Sequence, residues 1–322
     1  MSLLVLNQQE VEELLDMEGC IGAMAEALSS LARGEVHVPL RAVIRPEGED
    51  TFLGLMPAHR GGGSPLYSLK TVCVFPDNPQ RGLDAHQGTV TLFDGGSGET
   101  RAIMNASAIT AIRTAAVSAV ATRLLAREDA RELGILGAGV QARSHLEAMR
   151  LARDFDRVRI FSPTAAHAEA LAAEGAAVAV GSAQEAVEGA DVVVTATSSV
   201  DPVLRREWLK PGAHVNVIGG RPPTMRELDV ATVADSTFYT DKRESAESEA
   251  FDYRDALEAG AIGPDHIRGE IGEVLIGTAP GRTSPDELTV FRSLGLAVED
   301  LAAAEYVVRR ARERGLGVEV EF

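Results

Sequence analysis

Apolar residues recur at helical spacing near the start of the chain: Val11, Leu14 and Leu15, then Ile21, Met24 and Leu28, with Gly34 as a stop. This spacing predicts helix over residues 7–32. Between residues 36 and 93 the pattern changes to short apolar alternations. They are separated by turn clusters at Pro46-Glu47-Gly48, Gly61-Gly62-Gly63-Ser64-Pro65 and Pro76-Asp77-Asn78-Pro79. That pattern predicts an α+β segment of short antiparallel strands. An Ala/Val-rich stretch, 105–127, reads as one long helix. Past it, short continuous Val/Ile runs alternate with helices. The strands fall near 133–136, 157–162, 176–180, 191–197 and 214–220, and the helices near 140–153, 165–174 and 183–188. Such an alternation indicates a parallel sheet covered on both faces. Mixed elements follow residue 220, then an amphipathic helix over 296–314 and an apolar tail, 318–322. No internal repeat is present.

The first of these strand–helix junctions carries chemistry. Residues 133–142 read LGILGAGVQA, so Gly137 permits a tight turn, Gly139 allows close backbone approach, and the small Ala142 lets the new helix pack on the strand. A helix N-terminus at Val140 offers amides and a positive dipole end to an anion. Within a repeating β/α unit this predicts a dinucleotide pyrophosphate site. The fold class is therefore α/β, a Rossmann-type doubly wound parallel sheet joined to an α+β domain. The long helix bridges the two and the terminal helix is available to return, which predicts a discontinuous first domain (1–114 with 300–322) around a dinucleotide-binding domain (115–299).

Composition narrows the partners. The 322 residues, 45% hydrophobic and 25% charged, match an ordinary globular protein long enough for two cores. A net charge of −17 disfavours nucleic acid, whose phosphates it repels. Residues 1–9 show no secretory signal pattern, and no uninterrupted apolar run is long enough for a bilayer, which points to the cytoplasm. Cys20 and Cys73 lack CxxC or His-rich company and read as core thiols; the seven histidines show no metal-ligand spacing, so no metal site is expected.

Three basic residues stand in apolar surroundings. Lys70 lies in LYSLKTVCVF, where strand alternation puts it on the face of Val72 and Val74; Arg113 precedes Val117 and Val120 on one helix stripe; Arg41 lies in a strand-like VPLRAVIR. A buried cation requires a counter-charge. Internal ion pairs or snorkelling would supply one reading. A basic pocket for a substrate carboxylate would supply the other.

The ordered blocks FPDNP, HQG, AIRTAA, GAGVQA, VVVTATSS, WLKPGAHVN and SPDELTVFRSLGLAVEDLAAA cover almost the whole chain. In this order they resemble the ornithine cyclodeaminase and mu-crystallin family. The resemblance implies that Arg41, Lys70 and Arg113 grip an amino- or imino-acid carboxylate, with Arg45 a weaker candidate for the first position. It implies that Thr114 faces the cofactor phosphates together with Gly137 and the amides of Ala138, Gly139, Val140 and Gln141. Ala196, Thr197, Ser198 and Ser199 would line the nucleotide crevice, and Ser293 and Gly295 would lie near the nicotinamide. Lys70 is also the best proton donor on offer, because a desolvated lysine near other cations has a lowered pKa.

One departure from the family pattern bears on the reaction. Cyclodeaminases carry an Asp two residues past the first Gly of the GG pair ending the fifth strand. Here the segment reads Gly219-Gly220-Arg221-Pro222-Pro223, and an Arg cannot serve as that base. The resemblance then implies an NAD(P)H-dependent ketimine reductase acting on a cyclic imine carboxylate such as pyrroline-2-carboxylate or piperideine-2-carboxylate. Its alternatives are an amino-acid cyclodeaminase, an alanine-dehydrogenase-like enzyme, or a nucleotide-dependent binding protein. Related proteins also imply a homodimer formed through the first domain's sheet. At the end of the second strand, Ser162-Pro163-Thr164 contains no acid, with His167 beyond; hydroxyls at Ser162 and Thr164 favour NADP(H) over NAD(H).

Overall fold

A computed structural model describes residues 2–219 and 225–321. The chain begins with β1 (Ser2–Leu6), α1 (Gln8–Leu14), α2 (Met17–Ala32), β2 (Val36–His37), β3 (Ala42–Ile44) and β4 (Phe52–Arg60). It continues through β5 (Leu66–Val74), β6 (His86–Asp94), β7 (Thr100–Asn105) and α3 (Ala106–Leu125). Next come β8 (Glu132–Leu136), α4 (Val140–Ala152), β9 (Arg157–Phe161), α5 (Ala165–Glu174), β10 (Val178–Ala179) and α6 (Ala183–Val187). After β11 (Val192–Thr195) and β12 (His214–Val217) lie α7 (Val230–Asp235), β13 (Thr237–Thr240), α8 (Arg243–Glu249) and α9 (Phe251–Glu258). The chain closes with β14 (Ile267–Glu270), α10 (Ile271–Leu275), β15 (Thr289–Arg292), α11 (Ala297–Arg314) and β16 (Val318–Glu321). Two compact units result, one of Met1–Arg113 with Gly295–Phe322 and the other of Thr114–Leu294.

The first unit is α+β. Its eight strands run β16-β1-β7-β6-β5-β4-β2, with β3 paired to β4. The strands β4, β5 and β6 are nine residues each, longer than the turn clusters suggested, and β4 runs unbroken through Gly54 and Pro57 and β6 through Gly88. All pairings are antiparallel except β1 with β7, which are parallel. The predicted helix over 7–32 is two helices. Asp16 interrupts it by capping a new start, its carboxylate accepting the Gly19 amide at 2.8 Å, while Asn7 and Glu10 form a capping box on α1. Helix α11 packs on α2 and on β4–β6. On the covered face, Met56, Lys70 and Val90 stand directly across from one another on β4, β5 and β6. Alternation turns Cys73 the other way. It is only half-buried, whereas Cys20 is a core thiol as expected. Arg41 precedes β3 and lies outside any strand, correcting the strand reading of VPLRAVIR.

The second unit is a doubly wound sheet of eight parallel strands, ordered β10-β9-β8-β11-β12-β15-β13-β14. Its central strands are buried on both faces: Leu133, Ile135, Val192–Val194, Val215, Val217, Val290 and Phe291 are almost wholly inaccessible. That explains their continuous apolar character. From β8 the chain winds outward to β9 and β10, then crosses to β11 and β12 on the other side. The C-terminal ends of β8 and β11 thus flank a topological switch point, where doubly wound sheets bind ligands. The strand expected over 176–180 shrinks to Val178–Ala179, since Ala176 takes a left-handed φ of 45° just after the α5 cap. Helix α3 is long and apolar enough to cross a membrane, but 72% of its apolar window is buried, as in a core helix.

Candidate active site

In the first unit, three of the predicted residues meet at the N-terminus of α11. Lys70 Nζ lies 3.1 Å from Asp300 Oδ1, and Arg113 Nε lies 3.1 Å from the same oxygen. Arg113 Nη1 donates to Glu299 Oε2 at 2.6 Å. These four side chains are 3% exposed or less. Arg41 joins through Gly295, whose carbonyl accepts Arg41 Nη2 at 2.8 Å. Gly295 has φ 73°, and a Cβ there would fall 2.4 Å from Arg113 Nη1. Only glycine can hold this turn against the guanidinium.

The electrostatics follow from the count. Three cations and two carboxylates leave the ionised cluster one positive charge in excess, so one incoming carboxylate neutralises it. Burial lowers the Lys70 ammonium to about 8; Asp300 opposes the shift, and Arg113 and Arg41 add to it. Lys70 can therefore both carry charge and give up a proton near neutral pH. Glu299 and Asp300 lie in the first turn of α11, where the helix dipole favours negative charge. The internal ion-pair reading of the embedded cations holds for Lys70 and Arg113, which pair with Asp300 and Glu299. Arg45 does not join them; it stacks on Phe52, its guanidinium carbon 4.8 Å from the ring centre.

In the second unit, Gly137 leaves β8 at φ 117°, and a Cβ there would lie 2.4 Å from the Ala196 carbonyl oxygen. Gly139 caps α4 without a side-chain hydrogen bond and has open space around the position of a Cβ. The first intrahelical bond runs from the Arg143 amide to Gly139 O at 3.1 Å, so the amides of Val140 and Gln141 head the helix. Val140 is 56% exposed. This open, amide-lined turn fits a diphosphate. Ala196–Ser199 follow β11 across the switch point, Ala196 N donating to Leu136 O at 2.8 Å. Ser162 follows β9, and Thr164 caps α5 with no hydrogen bond from its side chain to the helix. Thr114 is buried in α3, and Ser293 is buried beyond β15. Arg221 lies outside the described residues.

Three acidic residues escaped the sequence reading. Glu299 and Asp300 carried a signal: Asp300 shares its helix stripe with the buried Ala304, Val307 and Ala311. Glu227 carried none. It is fully buried in the second unit, accepting Thr195 Oγ1 at 2.8 Å, the Thr197 amide at 2.6 Å and the Gly219 amide at 2.7 Å. It thereby ties the ends of β11 and β12 together. Burial raises its pKa, against the opposing pull of Arg292.

The sequence profile of the ornithine cyclodeaminase/mu-crystallin family matches residues 1–315. The chain belongs to the ornithine cyclodeaminase/mu-crystallin family. Within it, the mouse ketimine reductase mu-crystallin is 40% identical over 308 residues, spanning 94% of this chain and 95% of that protein. The structure of the Thermococcus litoralis Δ1-pyrroline-2-carboxylate reductase, solved with NADH and L-proline, superposes with a TM-score of 0.94 at 33% identity, covering 98% of this chain and 100% of that one. An archaeal alanine dehydrogenase dimer with bound NAD gives 0.93 at 33% identity, with both chains fully covered. In this cyclodeaminase/mu-crystallin member, the basic cluster and the glycine turn occupy separate units of the chain.

Proposed function

We propose that the protein is a nicotinamide-dependent imino-acid reductase that reduces the C=N bond next to a carboxylate, in a cyclic imine such as pyrroline-2-carboxylate or piperideine-2-carboxylate. The observation that carries this reading is the cluster of buried Lys70 and Arg113 with half-buried Arg41, with one positive charge in excess and Lys70 lowered to about 8. Arg41 and Arg113 hold the substrate carboxylate, and Lys70 supplies a proton to the imine nitrogen. The amides at Gly139–Gln141 hold the dinucleotide diphosphate, with Ala196–Ser199 along the crevice. Reduced nicotinamide supplies the hydride. The reductases and the dehydrogenase named above support the same chemistry.

The dinucleotide is NADPH, because Ser162 and Thr164 stand where a carboxylate would repel a 2′-phosphate. Arg221 replaces the base that the resemblance assigns to ring-closing deamination. The protein works as a homodimer through the first unit's sheet, which leaves Val43, Ile44 and Tyr67 exposed. The free thiols of Cys20 and Cys73 fit the cytoplasm. The test is to follow absorbance of NADPH and of NADH with each cyclic imine and with pyruvate plus ammonia. Oxidation with a cyclic imine is expected, faster with NADPH. No oxidation in any combination would overturn the proposal.

A further inference from the structure

Each of the three cations finds a partner in one short stretch, residues 295–300. The Gly295 carbonyl accepts Arg41 Nη2 at 2.8 Å, and Glu299 accepts Arg113 Nη1 at 2.6 Å. Asp300 Oδ1 lies 3.1 Å from both Arg113 Nε and Lys70 Nζ. Glu299 and Asp300 are adjacent in the first turn of α11, so their side chains leave the helix about 100° apart and reach Arg113 at different nitrogens. Gly295 stands one residue before the N-cap, Leu296, in the left-handed region at φ 73°. It is the one residue of the stretch that touches both guanidiniums through its main chain.

We propose that Gly295 is a positioning residue for the substrate carboxylate. Its carbonyl and its bare α-carbon together fix the guanidiniums of Arg41 and Arg113, the two groups that hold that carboxylate on the proposed reductase reading, on which the inference rests. The carbonyl anchors Arg41 by a hydrogen bond. The α-carbon sets Arg113 by close approach.

A side chain at this position would have to move one of them. Its Cβ would fall 2.8 Å from Arg113 Nη2 and 3.0 Å from Cζ, and nearer still to Nη1. The far end of a flexible side chain ordinarily gives way to such a clash at little cost. Arg113 is 3% exposed and held at Nε and Nη1 by two carboxylates, so its withdrawal breaks a buried ion pair. The other response is for the turn to yield, and the Gly295 carbonyl then leaves Arg41. Either response displaces a guanidinium. A guanidinium grips a carboxylate through a rigid fork of N–H donors, so its placement decides the strength of the grip.

A double-mutant cycle separates this role from a merely structural one. L-proline is titrated by calorimetry into wild type, Gly295→Ala, Arg113→Lys and the double variant, each loaded with reduced dinucleotide. Gly295→Ala should weaken L-proline by about tenfold or more, the scale of one lost charge-assisted hydrogen bond. In the Arg113→Lys background the slimmer side chain leaves room for the Cβ, so the same change should weaken it by less than about threefold. Left-handed alanine strains the turn in both backgrounds alike, so melting should fall equally while affinity does not. If Gly295→Ala alone does not fold, the double variant should, because the obstructed guanidinium is gone. Wild-type affinity in Gly295→Ala, an equal drop in both backgrounds, or a double variant as unfolded as the single one would each overturn the inference. A wild type that binds no L-proline would overturn it too, whatever imine turnover shows. If the cycle behaves as expected but no imine is reduced, the reductase reading fails and the positioning role stands.

Discussion

Both units bury charge, and they do so in opposite ways. In the first, Lys70 and Arg113 are answered by side-chain carboxylates, Asp300 and Glu299, with Arg41 in electrostatic reach. In the second, Glu227 is answered mainly by main chain, through the amides of Thr197 and Gly219, with the Thr195 hydroxyl beside them. Arg292 combines the two modes, donating to the Val217 carbonyl at 3.2 Å and pairing with the buried Asp252 carboxylate at 3.2 Å. Side-chain partners leave protons exchangeable and charge unbalanced. Backbone partners fix the shape of strand ends and leave nothing to exchange. On the proposed reading the first cluster meets the ligand, while Glu227 fixes the ends of β11 and β12.

Substitution at Lys70 separates the two most sharply. Lys70→Met should cut imine reduction by about a thousandfold, the scale of a lost proton donor, while dinucleotide affinity by fluorescence titration stays within about threefold. Equal loss of both would erase the distinction. The same residue sets the pH response. Lys70 must be protonated to act and is lowered to about 8, so activity should fall as pH rises through 8. Its stability term has the opposite sign. The unfolded chain binds that proton more tightly, so between pH 8 and 10.5 this lysine makes the fold more stable as pH rises. An alkaline activity loss that tracked melting would contradict the assignment.

Glu227→Gln should give the smaller, mixed effect. Its amide nitrogen would face either the Thr197 or the Gly219 N–H, leaving one buried donor unmet at about 1–3 kcal/mol. Thermal melting should register this cost. Dinucleotide binding should weaken while the preference among carboxylate ligands stays as in wild type. A changed ligand preference with unchanged melting would place Glu227 with the reactive group.

Much of this contrast was legible in the sequence, for reasons particular to each element. The glycine turn was readable because Gly137 and Gly139 serve local backbone demands. The β8–β12 sheet was readable because continuous Val/Ile runs mark strands covered on both faces. Lys70 and Arg113 were visible as cations among apolar residues, but their partners arrive from α11, far along the chain, so spacing could not join them. The helix over 7–32 broke at Asp16 because a cap outweighed continuous periodicity. Glu227 sits in no periodic element, and nothing in its neighbourhood announces Thr195 or Gly219. The strands after residue 220 were unreadable as a sheet because their order, β15-β13-β14, is set by crossovers and not by pattern.

The central claim is that hydride reaches the carbon bonded to both the nitrogen and the carboxylate held by the basic cluster. The most direct measurement uses reduced dinucleotide deuterated at the transferring carbon of the nicotinamide, with mass spectrometry of the amino acid formed from the cyclic imine. The account predicts one deuterium at the α-carbon, with label transfer lost in Lys70→Met. Product formed without label at that carbon, or ammonia release with no net consumption of dinucleotide, would contradict it.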